Sequence, residues 1–312
     1  MPPVTLPADA RPAASEGSAV GPIATVRLSD GRDMPVFGLG VYRCKPGEET
    51  YRATRWALEL GYRLVDTAAL YRNEESVGQA IKDSGVPRSE VWVTTKLWDS
   101  DHGYDRAIQA FRASLRKLAL DYVDLYLIHS PNKGKLVETW DALLELKRQG
   151  LARSVGVSNF GVEHLEALRS HGREPPAVNQ FEMHPLVFRE RKGVVDYCQT
   201  QGISITAYGS VFSGHRDMLG HRTVTKIAAA HAPKTGAQVA LRWGLQIGFA
   251  LIPKSVHRER LAENMDIFDF ELSPQELEEL TTMRGSLHEY WDPLSAAVDL
   301  GRLDRGRPGP KG

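Results

Sequence analysis

Cysteine is scarce in this chain, which limits the kinds of site it can build. Only two cysteines, Cys44 and Cys198, occur in 312 residues, and they do not form a CxxC pair. This scarcity argues against a disulfide framework and against a thiolate metal site. His215 and His221 lack a third ligand at a sensible spacing, so we expect no metal. The scarcity of cysteine is typical of a protein in a reducing compartment, and we therefore predict a cytoplasmic location.

An excess charge of one sign and long apolar runs are also missing. The 39 basic residues balance the 39 acidic ones, so the composition indicates neither a nucleic-acid partner nor a membrane surface. No run of transmembrane length occurs. Residues 1–22 are rich in Pro, Ala and Ser without the apolar core of a signal peptide, which predicts a disordered leader. Residues 301–312 are expected to be a disordered tail, leaving 23–300 as a single domain.

Between these ends the chain alternates short β-type runs with helical segments. Asp30-Gly31 predicts a hairpin first. Eight β-α units follow, whose strands are continuous apolar runs, as expected for parallel strands buried on both faces. The predicted strands are 37–41, 64–65, 91–95, 123–128, 153–157, 177–181, 203–207 and 249–252. After the seventh strand we predict a long helical stretch that ends at Gln246.

Two sheet architectures compete for this pattern. A doubly wound open sheet should carry a glycine-rich phosphate turn after its first strand. The sequence Gly38-Leu39-Gly40-Val41-Tyr42-Arg43 does not complete G-x-G-x-x-G, and the Gly209 to Gly214 spacing is followed by His215, where a Walker loop has Lys. We therefore predict an α/β fold, a (β/α)8 TIM barrel preceded by an N-terminal β-hairpin.

Polar side chains follow seven consecutive predicted strands, at the end of the barrel where such enzymes collect their chemistry. They are Asp66, Lys96, His129, Ser158-Asn159, Asn179-Gln180, Tyr208 and Lys254-Ser255. Seven strand ends that each carry a polar side chain at one end of a barrel indicate a lined site.

Four residues near these strand ends are suited to proton transfer: Asp66, Tyr71, Lys96 and His129. A free phenol has a pKa near ~10, and a nearby cation lowers that value. Lys96 could supply the cation, Asp66 could hold it in place, and His129 could orient a polar group of a substrate. Singly, each has an ordinary explanation, such as a buried ion pair or a core histidine. Jointly, at consecutive βα positions, they favour a catalytic site.

A second group predicts an anion site. Lys254, Ser255 and Arg260 lie at the opening of a predicted helix and combine two cations with a hydroxyl. A phosphate monoester is a natural occupant of such a site.

Several motifs resemble those of the aldo-keto reductase family, in order, from about Val26 to Trp291. The similarity is closest to the short-loop branch of diketo-gluconate reductase and prostaglandin F synthase-like reductases. The motifs are Asp66-Thr67-Ala68-x-x-Tyr71, Thr95-Lys96-Leu97-Trp98, Asp124-Leu125-Tyr126-Leu127-Ile128-His129, Gly156-Val157-Ser158-Asn159-Phe160, Asn179-Gln180, Ile252-Pro253-Lys254-Ser255 and Arg260-x-x-Glu263-Asn264.

The resemblance implies an NADPH-dependent enzyme that reduces aldehydes and ketones to alcohols. Hydride would leave the nicotinamide C4 while Tyr71 acts as general acid, tuned by Lys96 and Asp66, with His129 orienting the carbonyl. It also implies that the small-molecule carbonyl is the only partner and that the protein is a monomer.

The resemblance further implies two sets of binding residues. Those for NADP(H) are Gly40, Val41, Tyr42, Asp66, Ser158, Asn159, Gln180, Tyr208, Gly209, Ser210, Lys254, Ser255, Val256, Arg260, Glu263 and Asn264. Within them, Ser158, Asn159 and Gln180 would hold the carboxamide, Tyr208 would stack on the nicotinamide, Lys254, Ser255 and Arg260 would bind the 2′-phosphate, and Glu263 and Asn264 the adenine. The substrate pocket would be Tyr42, Trp98, His129 and Ser130.

At three places the sequence differs from the one that is commoner in the family. Ser130 replaces a large aromatic before Pro131, which predicts a wider and wetter pocket. Gly209-Ser210-Val211 replaces Ser-Pro-Leu, which predicts looser cover over the cofactor diphosphate. The segment after Met283 is short, and only Trp291 and Leu294 are candidates to reach the pocket.

Two other functions use the same residues. The first is an NADP-binding sensor or scaffold with little turnover, which would not need Tyr71, Lys96 and His129 together. The second is a barrel lyase with Lys96 as a Schiff base, which requires an unpaired, neutral lysine and is opposed by Asp66.

Overall fold

A computed structural model describes residues 24–285 and 293–300 of the chain. The predictions for the leader, for the tail from residue 301 and for Trp291 lie outside the described residues. No described helix is long and apolar enough to cross a membrane.

The predicted hairpin precedes the barrel and closes one of its ends. Its strands are β1 (Thr25–Arg27) and β2 (Asp33–Pro35), paired antiparallel with Val26 opposite Met34. Leu28 and Met34 are buried in one cluster with Leu64 and Trp92, the first residues of two barrel strands. The hairpin therefore covers the barrel at the end where its strands begin.

Eight parallel strands form the sheet, each hydrogen-bonded to the next. They are β3 (Leu39–Gly40), β4 (Leu64–Asp66), β5 (Trp92–Leu97), β6 (Val123–Ile128), β7 (Ala152–Ser158), β8 (Val178–Glu182), β9 (Ser204–Tyr208) and β10 (Ala250–Leu251). Phe37 and Leu251 form a parallel bridge between the two outermost strands, and the Gly38 N–H donates to the Leu251 carbonyl at 2.8 Å. This closure confirms the predicted (β/α)8 barrel.

Helices cover the outside of the barrel. The first six are α1 (Glu48–Glu59), α2 (Glu74–Ser84), α3 (Tyr104–Leu118), α4 (Leu136–Arg148), α5 (Val162–Ser170) and α6 (Phe188–Thr200). In α3 the buried residues Ala107, Phe111, Ser114 and Leu118 recur every three or four positions, which places them on one face. Phe111 packs edge-on against Tyr126 of β6, with ring centroids 4.7 Å apart.

The long helical stretch predicted up to Gln246 is wrong, because three helices replace it. They are α7 (Arg216–Leu219), α8 (Arg222–Ala230) and α9 (Gly236–Gln246), after a 3₁₀ turn over Phe212–Gly214. Pro233, which lacks an N–H, lies between α8 and α9. The Thr235 hydroxyl then caps α9 by accepting from the Gln238 N–H at 3.3 Å. The described chain also contains α10 (Arg258–Met265) and α11 (Pro274–Thr281).

Candidate active site

A cavity of about 690 Å³ opens at the end of the barrel where the strands finish. It is larger than a small carbonyl compound requires and falls in the range of ordinary ligand pockets. Among the residues that line it are Tyr42, Asp66, Tyr71, Trp98, His129, Asn159, Gln180, Tyr208, Arg216, Lys254, Ser255 and Arg260. The cavity therefore reaches from the predicted proton-transfer residues to the predicted anion site.

Lys96 of β5 and Asp66 at the end of β4 form a buried ion pair at the site. The Lys96 ammonium donates to Asp66 Oδ1 and, at 2.9 Å, to the Thr67 carbonyl. Burial raises the pKa of Asp66 and lowers the pKa of Lys96, and each partner's charge opposes the shift of the other. Because Lys96 is fully buried and already holds a carboxylate and a carbonyl, the geometry opposes a Schiff-base lysine.

Tyr71 lies between this ion pair and the cavity. It ends a 3₁₀ turn over Ala69–Tyr71, and its hydroxyl oxygen accepts a hydrogen bond from the Lys96 ammonium at 3.3 Å. The Tyr42 ring packs beside it, with centroids 4.9 Å apart. The phenol oxygen is thus placed against a buried cation and faces a cavity, as the sequence predicted.

His129 follows β6 and completes the predicted group of four. Its ring lies edge-on to Tyr71 at 5.6 Å and to Trp98 at 5.2 Å between centroids. Burial, reinforced by the Lys96 charge, holds the pKa of His129 well below its usual range, so the ring is neutral at ordinary pH. Its Nδ1 is buried without a hydrogen-bond partner among the described residues, which leaves Nε2 as the nitrogen available to the cavity.

A network of amide and hydroxyl groups spans the far wall. Asn159, with φ near 63°, donates to the His129 carbonyl at 3.0 Å and accepts from the Tyr208 hydroxyl at 2.8 Å. Gln180 donates to Asp66 Oδ2 at 2.8 Å. Ser158 donates to the Gln180 carbonyl at 2.8 Å. Asp66 is therefore held from two sides, by Lys96 and by Gln180.

Residues 209–214, which we call the strap, run along the cavity after β9. Four of its residues have left-handed backbone conformations: Gly209, Phe212, Ser213 and Gly214. Phe212 is fully buried, with its ring 5.3 Å from that of His184. A Cβ at Gly209 would lie 3.3 Å from Cγ of the buried Glu182, so glycine suits this position in both conformation and space.

The predicted anion site lies at the other end of the cavity, between the end of β10 and α10. Lys254 and Arg260 line it, and neither makes a hydrogen bond or ion pair with any described residue. The Ser255 hydroxyl accepts from the His257 N–H at 3.1 Å. Glu263 also lines the cavity and accepts from the Thr235 hydroxyl at 2.6 Å.

Most of the predicted site residues line this one cavity, and five do not: Val41, Lys96, Ser130, Ser158 and Val256. Lys96 and Ser158 lie behind the cavity wall, where they donate hydrogen bonds to the lining residues Tyr71 and Gln180. Ser130 is fully buried and its hydroxyl donates to Asp99 Oδ1 at 2.6 Å, so it supports the wall and does not widen the pocket directly.

Some lining residues were missed from the sequence: Arg43, Leu70, Val211, Ser213, Gly214, Arg216, Leu219, Ala237, Ile252 and Pro253. Proximity in sequence to Tyr42, Tyr71 or Lys254 could have indicated several of them. Arg216 carried no motif, and only its position directly after the strap could have indicated it.

Taken together, the closed barrel and the Asp66–Lys96–Tyr71 cluster at its carboxyl end define a barrel with a site suited to proton transfer. The model of the Aldo/keto reductase family matches residues 37–284. The chain belongs to this family and is an oxidoreductase whose relatives reduce carbonyl compounds with nicotinamide dinucleotides.

Named relatives support the assignment over most of the chain. Glyoxal reductase of Bacillus subtilis is 46% identical over 259 residues, which are 83% of this chain and 92% of that protein. The 9,11-endoperoxide prostaglandin H2 reductase of Trypanosoma cruzi is 44% identical, over 86% of this chain and 94% of that protein. The crystal structure of an aldo/keto reductase from Brucella melitensis aligns with a TM-score of 0.80 and 41% identity, over 85% of this chain and 99% of that one.

Proposed function

We propose that the protein reduces aldehydes and ketones to alcohols with NADPH. The observation that carries this proposal is the Lys96 ammonium, 3.3 Å from the Tyr71 hydroxyl and bound to Asp66, in a cavity that continues to Lys254 and Arg260. The first part of this arrangement suits proton transfer, and the second suits a phosphate-bearing cofactor.

The residues at both ends of the cavity fit an NADP molecule. Lys254 and Arg260 are cations without an ionic partner among the described residues, and a 2′-phosphate would supply the missing charge. At the other end Asn159, Gln180 and Tyr208 offer amide groups and a ring suited to the nicotinamide carboxamide and its face. Bound in this way, the cofactor supplies the hydride to the carbonyl carbon.

Tyr71 supplies the proton in this proposal. As negative charge develops on the carbonyl oxygen, the phenol donates its proton there. The Lys96 ammonium favours the tyrosinate that is left, which makes the phenol a stronger acid. Asp66 keeps Lys96 in place, and Gln180 holds the other carboxylate oxygen.

His129 orients the carbonyl. Because its ring is neutral, one nitrogen carries a proton and the other does not. With Nδ1 buried, a proton on Nε2 could be donated to the carbonyl oxygen without placing a further charge beside Lys96. Tyr42 and Trp98 form the aromatic walls around this point.

The experiment that tests the proposal measures NADPH oxidation with four carbonyl compounds, beside the variant Tyr71→Phe. The compounds are an aromatic aldehyde, an aliphatic aldehyde, an aldose and the dicarbonyl glyoxal, chosen because a relative is named for it. We expect turnover to fall by about 10²–10⁴-fold in Tyr71→Phe while NADPH binding is kept. Tyr51→Phe is the matched control, since its hydroxyl bonds to Asp83 on the outer surface.

Tight NADPH binding without turnover of any compound would instead favour the sensor or scaffold. Turnover that survives in Tyr71→Phe would remove Tyr71 as the acid. The monomeric state and the cytoplasmic location stay predictions.

A further inference from the structure

Arg216 is a cavity-lining cation to which the sequence motifs assign no role. The described lining contains four residues with a permanent positive charge: Arg43, Arg216, Lys254 and Arg260. Arg43 lies at the Tyr42 end, with its guanidinium 5.4 Å from the Tyr42 ring centroid. Arg216 begins α7, directly after the strap.

The Arg216 guanidinium makes no hydrogen bond or ion pair with any residue in 24–285 or 293–300. In this it differs from arginines such as Arg173, which donates two hydrogen bonds to Asp141. Of the four lining cations, the side chains of Arg216, Lys254 and Arg260 make no hydrogen bond or ion pair with a described residue. Such a grouping indicates an anionic occupant with more than one charged group.

The charges of the proposed cofactor account for all three cations. A phosphate monoester carries about −1.5 to −2 at neutral pH, which Lys254 and Arg260 can balance. The diphosphate between the two nucleosides carries two further negative charges. In the chain, the strap lies between Tyr208, which lines the proposed nicotinamide end, and Arg216. Of the two lining cations that remain, Arg43 lies over the Tyr42 ring, which leaves Arg216 for the diphosphate.

The strap is built to hold Arg216 at this place. Phe212 anchors it in the core against His184, and the turn at Ser213 and Gly214 then leads into α7. Leu219 at the end of α7 packs against α9, where a Cβ on Gly236 would lie 2.7 Å from the Leu219 carbonyl oxygen. Arg216 thus lies between the buried Phe212 and the contact of Leu219 with α9.

We propose that Arg216 binds the diphosphate of the nicotinamide dinucleotide and holds the strap against it. This inference rests on the proposed function and extends it to a residue that the sequence motifs do not include. Since NADPH and NADH share the diphosphate, Arg216 strengthens the binding of both, whereas Arg260 acts on NADPH through the 2′-phosphate.

The test measures the dissociation constants of NADPH, NADH and adenosine 2′-monophosphate by titration calorimetry. Adenosine 2′-monophosphate carries the 2′-phosphate but no diphosphate. We expect Arg216→Ala to weaken NADPH and NADH by a similar factor, about tenfold or more, and to leave adenosine 2′-monophosphate within about twofold. Arg260→Ala should weaken NADPH and adenosine 2′-monophosphate and affect NADH least.

Arg222→Ala is the matched control, because Arg222 is exposed on α8, outside the cavity lining, and its loss changes the net charge equally. Unchanged binding of both dinucleotides in Arg216→Ala would overturn the inference. So would a loss confined to NADPH and adenosine 2′-monophosphate, which would make Arg216 a 2′-phosphate ligand. If the unaltered protein binds neither dinucleotide, the proposed function fails as well. If it binds them without turnover, the binding data still decide the role of Arg216.

Discussion

Replacing Lys96 by Met is the sharpest test of the buried charges at the site. The change keeps most of the volume but removes the cation, leaving Asp66 with 2% exposure and only Gln180 as a polar side-chain partner among the described residues. Breaking a buried ion pair in this way costs about 3–5 kcal/mol of unfolding free energy. The reason is that the remaining carboxylate must stay buried without its counter-charge or take up a proton.

The same change alters the acidity of Tyr71. At 3.3 Å and an effective dielectric constant of about 20, an ammonium would stabilise a tyrosinate by about 5 kcal/mol. The Asp66 charge on the same ammonium cancels part of this. If about half of this stabilisation remains, it lowers the pKa of the Tyr71 hydroxyl by roughly two. In Lys96→Met we therefore expect kcat/KM for carbonyl reduction to be lower at all pH values. We also expect the pH at which it falls on the alkaline side to be higher by about two pH units.

Urea unfolding and a pH series of kcat/KM measure both effects. Lys226→Met is the matched control: Lys226 is 68% exposed and 2.9 Å from Glu279, which is itself partly exposed, so its loss should cost less than about 1 kcal/mol. Adding Asp66→Asn to Lys96→Met should recover stability but not activity, since both buried charges are then absent. The reasoning is refuted if Lys96→Met and Lys226→Met lose the same free energy of unfolding and the fall of kcat/KM at high pH does not move.

Three further substitutions give separate predictions. Arg260→Ala should weaken NADPH about 10–100-fold more than NADH, and equal losses in a binding titration would remove its 2′-phosphate role. The pKa of His129 is lowered in the fold, so its contribution to stability is complete above the ordinary value of 6.5 and is lost as the pH falls below it. Between pH 6.5 and about 5.5, the free energy of unfolding of His129→Gln should therefore fall less steeply with decreasing pH than that of the unaltered protein, by up to about 1.4 kcal/mol per pH unit. Urea unfolding that gives the same slope for both proteins would contradict this. Ser130→Ala should lower the unfolding free energy by about 1–3 kcal/mol, because Asp99 loses its hydrogen-bond donor, yet change KM little; a large rise in KM would return Ser130 to the pocket.

The positions of Asp66, Lys96 and His129 could be predicted because each follows or ends an apolar strand. Parallel strands in a barrel end on one side, so polar residues at those points must meet. The position of Ser130 follows from the same geometry, since neighbouring residues along an extended chain face opposite sides. With His129 at the cavity, Ser130 turns away toward Asp99.

The chain after β9 could not be predicted as well. Its residues are good helix formers on average, and the breaks at Gly220 and Pro233 do not alone fix where each helix begins. Arg216 reaches the cavity because the strap turns through left-handed conformations at Phe212 and Ser213, which the sequence gives no reason to expect there.

The hydrogen bond between Gln180 and Asp66 has a consequence for how the enzyme becomes active during folding. It joins residues 114 positions apart, on β8 and β4, which are four strands apart in the eight-stranded barrel and so stand opposite one another. A half-barrel from either end of the chain would lack one of the two side chains. During refolding, catalytic activity should therefore return only after β4 and β8 have both docked, so the recovery of turnover reports the formation of most of the barrel.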